Sequence, residues 1–157
     1  MNNVLLKNVN LNDDFFDSLR YEYLDFNNWF IKKANLGFSC FVNYKDNNIA
    51  SICIIKFEYE DEDYSMFKIP FEKNKRIKIC TLKVNDKGKK IGSKYLKLVR
   101  SIAIKNNINE IYITLFDNHK DLIELLESFN YKLVTYKDTI KCDKKMYKEL
   151  VFVCHIN

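Results

Sequence analysis

The chain has 157 residues, 47% of them hydrophobic and 15% aromatic, with a net charge of +5. That length suits one domain over 1–157 with a single core, and one proline and three glycines exclude a linker or low-complexity tract. The longest apolar runs, at 52–55 and 151–154, fall far short of the roughly 20 residues that span a bilayer, and residues 1–10 lack the basic-then-apolar layout of a secretion signal, so a cytoplasmic protein with no membrane partner is expected.

Residues 3–7 read as a first strand. Asn12 or Asp13 is a plausible N-cap for a helix carrying Phe15, Phe16 and Leu19 on one side. A second helical stretch over about 23–34 places Leu24, Trp29 and Phe30 near helical spacing. The runs at 38–44 and 49–57 are rich in apolar and β-branched residues, and Lys45, Asp46, Asn47 and Asn48 between them suit a hairpin turn. Residues 58–74 mix an acidic run, Glu58, Glu60, Asp61, Glu62 and Asp63, with Pro70, and read as an exposed, partly ordered loop that could serve as a lid over a substrate. A fourth strand over 76–84 leads through a glycine-containing turn into a helix over 90–105, where Ile91, Tyr95, Leu98 and Ile102 share one side. A strand at 109–116, a helix at 121–129 and strands at 131–136 and 146–156 complete the order β-α-α-β-β-β-α-β-α-β-β. A right-handed crossover through the long helix makes the fourth and fifth strands parallel neighbours in an otherwise largely antiparallel sheet.

Five cysteines, Cys40, Cys53, Cys80, Cys142 and Cys154, form no CxxC pair, and four lie in strand-like apolar runs where a thiol acts as a small hydrophobe. The two histidines, His119 and His155, are far apart, so no metal site is expected. Cys80 lacks a basic neighbour at a recognisable spacing and is read as core rather than as a nucleophile.

The informative segment runs from Thr81 to Ser93. A strand that stops at Val84 and turns through Gly88 and Gly92 into a helix presents several backbone N–H groups in one concavity, which suits phosphate. Each hydrogen bond to a charged group is worth about 1.5–3 kcal/mol and the helix N-terminus adds about 0.3–1 kcal/mol. Lys87, Lys89, Lys90 and Lys94 would surround the anion with positive charge.

The element order and this turn together resemble the GNAT superfamily of acyl-CoA N-acyltransferases over nearly the whole chain. The family's cofactor loop reads Arg or Gln, two residues, Gly, one residue, Gly or Ala. Aligned on Gly92, Lys87 takes the Arg/Gln place and Lys90 the middle glycine place, with Gly88 as an additional turn glycine. Downstream, Asn130 and Tyr131 replace the usual Gly-Phe ending of a helix, Leu126 falls on the tyrosine that often protonates the departing thiolate, and His119 falls on the asparagine that contacts the cofactor. The resemblance implies an α/β fold of the α+β type, with a mixed central sheet of about seven strands and helices on both faces. It further implies acetyl-CoA as co-substrate, without a metal, and transfer of its acetyl group to a primary amine of a small molecule or protein.

By the same resemblance the cofactor would be held by backbone groups near Leu82 and Val84 and by Lys87, Gly88, Lys89, Lys90, Ile91, Gly92 and Ser93. His119 would either hydrogen-bond the cofactor or protonate the thiolate as the catalytic residue. Glu58, Tyr59 and Glu60 are weighed as a base for the amine, with a solvated strand end preferred. Tyr112, Thr114 and Phe116 are candidates for setting acyl-chain length. Two other functions stand beside this one. The basic helix bearing Lys94, Lys97, Arg100 and Lys105 would suit a toxin-like enzyme acting on aminoacyl-tRNA, although a solvated helix face is preferred and nucleic acid is not the favoured partner. Leu126 and Lys90 in the places of tyrosine and glycine would suit a module that binds acyl-CoA without turnover. A homodimer is left open.

Overall fold

The computed structural model describes residues 1–85 and 90–156. Seven strands, β1 (Asn2–Leu5), β2 (Ser39–Lys45), β3 (Asn48–Glu58), β4 (Arg76–Val84), β5 (Glu110–Phe116), β6 (Lys132–Ile140) and β7 (Met146–His155), form one sheet in the order β1-β2-β3-β4-β5-β7-β6. Four α-helices join them, α1 (Asp17–Glu22), α2 (Phe26–Asn35), α3 (Ile91–Lys105) and α4 (Lys120–Ser128). β1 with β2, β2 with β3 and β5 with β7 pair antiparallel, whereas β4 and β5, joined through α3, pair parallel. The mixed sheet expected from the sequence is therefore the observed one.

By their internal packing the residues divide into two compact units. The first takes Met1–Ile54, Thr81–Ile91 and Ile140–Met146. Within it Asp13 caps a short 3-10 turn over Asp14–Phe16, its carboxylate accepting from the Phe15 N–H at 2.9 Å. That turn buries Phe15 and Phe16, and Phe16 packs edge-on to Phe15 and Phe30 with ring centroids 5.3 and 5.4 Å apart. The predicted second helix starts later than its periodicity suggests. Tyr23 is extended and Asp25 left-handed at φ 65°, so Leu24 is exposed and only Phe26 and Phe30 of α2 are buried. Gly37 takes φ 84° immediately beyond α2, and the N–H of Phe38 reaches the Lys33 carbonyl at 3.1 Å, closing the helix. The β2–β3 hairpin turns through Asp46 and Asn47, at φ 52° and 67°, between paired Lys45 and Asn48, the two-residue geometry that matches strand twist.

The second unit comprises Ile55–Cys80, Gly92–Thr139 and Tyr147–Asn157. Tyr95, Leu96, Val99 and Ala103 are the buried side of α3, and Ile77, Ile79, Ile111, Ile113 and Leu115 are buried aliphatic residues of β4 and β5. Removing a large aliphatic side chain from such a layer costs about 2–5 kcal/mol. The segment between β3 and β4 is not the simple exposed loop expected. The Lys68 N–H donates to the Tyr136 carbonyl and the Ile69 N–H to Thr135 Oγ1, both at 2.8 Å, which pins the segment to β6. Its Tyr64 is buried and packs with Phe67, Phe71 and Tyr112. β6 also runs four residues beyond its expected end at 136, to Ile140. Among the described residues no helix is long and apolar enough to cross a membrane.

Candidate active site

The first set of sequence-predicted residues flanks the stretch between β4 and α3 in the chain. Leu82 and Val84 are half-buried on β4, and Ile91, Gly92 and Ser93 are half-buried in the first turn of α3. Lys87, Gly88 and Lys89 lie outside the described residues. Lys90 is exposed at φ 55°, in the left-handed region, immediately before the helix. That conformation costs a non-glycine residue about 1–2 kcal/mol, so the chain spends strain at the position where a glycine would be at ease. Gly92 has a different reason for being glycine. A Cβ there would lie 2.7 Å from Leu125 Cδ2 of α4, so the absence of a side chain lets α3 approach α4.

β4 and β5 share a short ladder. Ile77, Lys78 and Ile79 pair with Ile111, Tyr112 and Ile113, and β4 then continues through Cys80 to Val84. On α4, His119 occupies the N-cap position, half-buried, and its carbonyl accepts from the Ile123 N–H at 3.0 Å. Leu126, at the position where the resemblance puts a tyrosine, is fully buried. Asn130, in the place of a glycine, is left-handed at φ 66° and lets the Tyr131 N–H reach the Leu126 carbonyl at 3.0 Å. Lys94, Lys97, Arg100 and Lys105 are all exposed on α3, as a solvated helix face requires.

The second cluster was not legible as a cluster. Glu58, weighed as a solvated strand end, is only 3% exposed. Its Oε1 accepts from the Tyr64 hydroxyl at 3.0 Å and from the Tyr112 hydroxyl, and its Oε2 lies 3.4 Å from Lys56 Nζ. Tyr59 and Glu60 are exposed, as expected. Burial, partly offset by a hydrogen bond from Arg76, pushes the Tyr64 phenol up to about 12, and burial followed by the Glu58 charge pushes Tyr112 up as well. Both therefore stay neutral and donate.

Arg76 completes this chamber. It is 3% exposed, its Nε donates to Glu110 Oε2 at 2.6 Å, and its guanidinium lies 4.0 Å from the Phe71 ring centroid and 5.1 Å from that of Tyr64. Such stacking contributes about 0.5–2 kcal/mol. Its Nη1 is buried with no hydrogen-bond partner among the described residues, which costs about 1–3 kcal/mol or more on a charged group.

The residues considered for acyl-chain length have other engagements. Tyr112 binds Glu58, Thr114 Oγ1 donates to Glu149 Oε2 at 2.7 Å, and Phe116 is buried beside Tyr147. All five cysteines are free thiols; Cys40, Cys53 and Cys154 are buried, and burial raises the Cys40 thiol to about 11. Among the described residues no three His, Cys, Asp or Glu side chains are grouped to hold a metal.

No protein-family model and no curated protein matches the chain. Solved structures do. An IAA acetyltransferase from Bacillus cereus ATCC 14579 superposes with a TM-score of 0.65 over 99% of this chain and 97% of its own, at 8% identity. Arabidopsis thaliana NAA60, solved with a bisubstrate analogue, gives 0.65 over 83% and 82%, at 14% identity. A GNAT family acetyltransferase from Elizabethkingia anophelis, solved with acetyl-CoA bound, gives 0.56 over 80% and 81%, at 10% identity. At such identities the likeness is one of fold: the chain has the fold of these acetyltransferases.

Proposed function

We propose that the protein is an N-acetyltransferase that moves the acetyl group of acetyl-CoA to a primary amine. The observation that carries the reading is the parallel β4–β5 pair, with its three-residue ladder, with β4 running on five residues beyond it, Cys80 to Val84, and with α3 as the next helix in the chain. An unpaired strand end would offer main-chain groups to an extended amide-bearing arm, and a helix N-terminus would offer N–H donors to a phosphate. The left-handed Lys90 supports the same assignment, because it supplies without glycine the backbone turn that the family's loop obtains with one.

Acetyl-CoA supplies an activated thioester, so the protein need form no covalent bond of its own. The main chain at Leu82 and Val84 would bind the pantetheine arm, and Lys87, Gly88, Lys89, Lys90, Ile91, Gly92 and Ser93 would bind the pyrophosphate. His119 would meet the thiol end, as proton donor or as hydrogen-bond partner. An acceptor α-amine, with a pKa of about 7.7–8.0, would need little help to reach the neutral form at which it attacks. The buried Leu126 favours a second reading, an acyl-CoA-binding module without turnover, because it removes the usual proton donor.

Titration of the folded protein with acetyl-CoA tests the first requirement. Binding in the micromolar range is expected, weakened roughly a hundredfold in Gly92→Trp, with circular dichroism used to confirm that the variant folds. Absence of binding to the unaltered chain would sink both readings. An amine screen then separates them: a catalytic His119 predicts a kcat about a hundredfold lower in His119→Ala, a cofactor contact predicts a raised KM, and binding with no transfer to any amine leaves the module.

A further inference from the structure

Two glutamates of the second unit, Glu58 and Glu149, are only 3% and 4% exposed. Each accepts from two hydroxyls and lies beside a lysine. For Glu58 these are Tyr64, Tyr112 and Lys56, and for Glu149 they are Thr114 at 2.7 Å, Thr139 at 2.9 Å and Lys137 at 3.7 Å. The two differ in what can reach their donors. Tyr64 and Tyr112 are themselves buried, whereas Thr114 is half-buried and is the one residue from 111 to 116 that is not buried. Its place in the sheet differs as well. β4 and β5 pair as far as Ile79 and Ile113, so Thr114 is the first residue of β5 past the ladder, as the half-buried Cys80 is the first of β4. A hydroxyl that donates its proton to a carboxylate keeps lone pairs with which to accept one.

Resting on the acetyltransferase reading, which puts the acetyl-CoA arm along β4 past the ladder, we infer that Thr114 and Glu149 take the proton of the acceptor, and that the acceptor is an alkylamine. An alkylammonium, with a pKa of about 10.4, is almost wholly protonated at neutral pH and must lose a proton before it attacks. The ammonium gives that proton to Thr114 Oγ1 as the Thr114 hydroxyl proton passes to Glu149 Oε2. The freed lone pair forms the carbon–nitrogen bond at the thioester carbonyl, the carbon–sulfur bond breaks, and the CoA thiolate leaves with the electron pair and takes the second nitrogen proton. The products are an N-acetylalkylamine and free CoA, and Glu149 returns its proton to water. Thr114 is the group that touches the substrate, and Glu149 acts through it.

Acetyl transfer by the full chain to Nα-acetyllysine amide, spermidine and tyramine, followed by release of the CoA thiol from about pH 6 to about pH 9, tests this alongside calorimetric binding of acetyl-CoA. At least one of the three amines is acetylated, with kcat/KM nearly level across that range. Thr114→Val and Glu149→Gln each lower it about a hundredfold near pH 7, and the deficit shrinks about tenfold for each unit of rising pH, because only the free amine then reacts. Thr114→Ser restores the level profile, and every variant binds acetyl-CoA as the unaltered chain does. A loss of equal size at every pH, or a Thr114→Val chain with the unaltered profile, overturns the inference while transfer itself upholds the acetyltransferase reading. Acetyl-CoA binding with no transfer to any of the three amines also overturns it, and absence of acetyl-CoA binding overturns both. Should Glu149→Gln fail to fold, the comparison of Thr114→Val with Thr114→Ser decides.

Discussion

The turn between β4 and α3 and the chamber around Arg76 are built in different ways. If the cofactor binds at the turn, the groups that hold it there are main chain, and Lys90, in the place that the resemblance gives to a glycine, takes φ 55°. In the chamber the interacting groups are side chains brought together from β3, β4, β5 and the intervening segment: Glu58, Tyr64, Arg76, Glu110 and Tyr112. A site made of backbone tolerates substitution as long as the dihedral angles are reached, whereas a site made of buried charge and hydroxyl does not tolerate loss of a partner.

The largest break in this contrast is expected from Glu110→Ala. It strands the Arg76 guanidinium and also the Asn74 amide, which donates to Glu110 Oε1 at 3.1 Å. Removing one partner of a buried ion pair costs about 3–5 kcal/mol, to be read from urea unfolding. A loss below about 1 kcal/mol would mean that Arg76 is hydrated, and the chamber would no longer differ from an exposed ion pair.

A smaller effect follows from Tyr64. Its folded-state pKa, about 12, lies above its ordinary value of 10. The phenol's stabilisation is therefore fully present below pH 10 and is lost as pH rises towards 12, because the unfolded chain releases the proton first. Near pH 11 the loss is about 1.4 kcal/mol, and Tyr112 acts in the same direction. Urea midpoints of the unaltered chain and Tyr64→Phe should therefore converge between about pH 9 and pH 11. A constant gap between them would show that Tyr64 is as solvated in the folded chain as in the unfolded one.

The same contrast explains what was legible in the sequence. Strand and helix order followed from apolar spacing, and β4 was located to the residue because Arg76–Val84 is a β-rich run bounded by polar turns. The start of α2 was misplaced because Leu24 looks like part of an apolar face, while the left-handed Asp25 that interrupts it carries no such signal. Left-handed positions in this chain mostly lack glycine: Asp25, Asp46, Asn47, Lys90, Asn107, Asn130 and Lys144 all have positive φ. Asp46 and Asn47 were legible as a hairpin turn, and Lys90 and Asn130 through the glycine places they fill, whereas Asp25, Asn107 and Lys144 were not. The chamber was illegible for another reason. Glu58 heads the acidic run Glu58, Glu60, Asp61, Glu62, Asp63, and its pairing with Tyr64 and with Tyr112, the latter 54 residues away, sets it apart from its neighbours.

Lys90→Gly gives the smallest expected effect and tests the backbone side of the comparison most directly. Relief of the left-handed strain is worth about 1–2 kcal/mol, and the added freedom of glycine in the unfolded chain takes back about 0.5–1 kcal/mol, so a net gain of roughly 0–1.5 kcal/mol is expected in urea unfolding. If the turn acts through its main chain, acetyl-CoA affinity should hold or tighten, because the same dihedral angles are reached with less strain. If affinity falls while stability rises, the Lys90 ammonium contributes to the anion as a point charge, and the turn then depends on a side chain just as the chamber does.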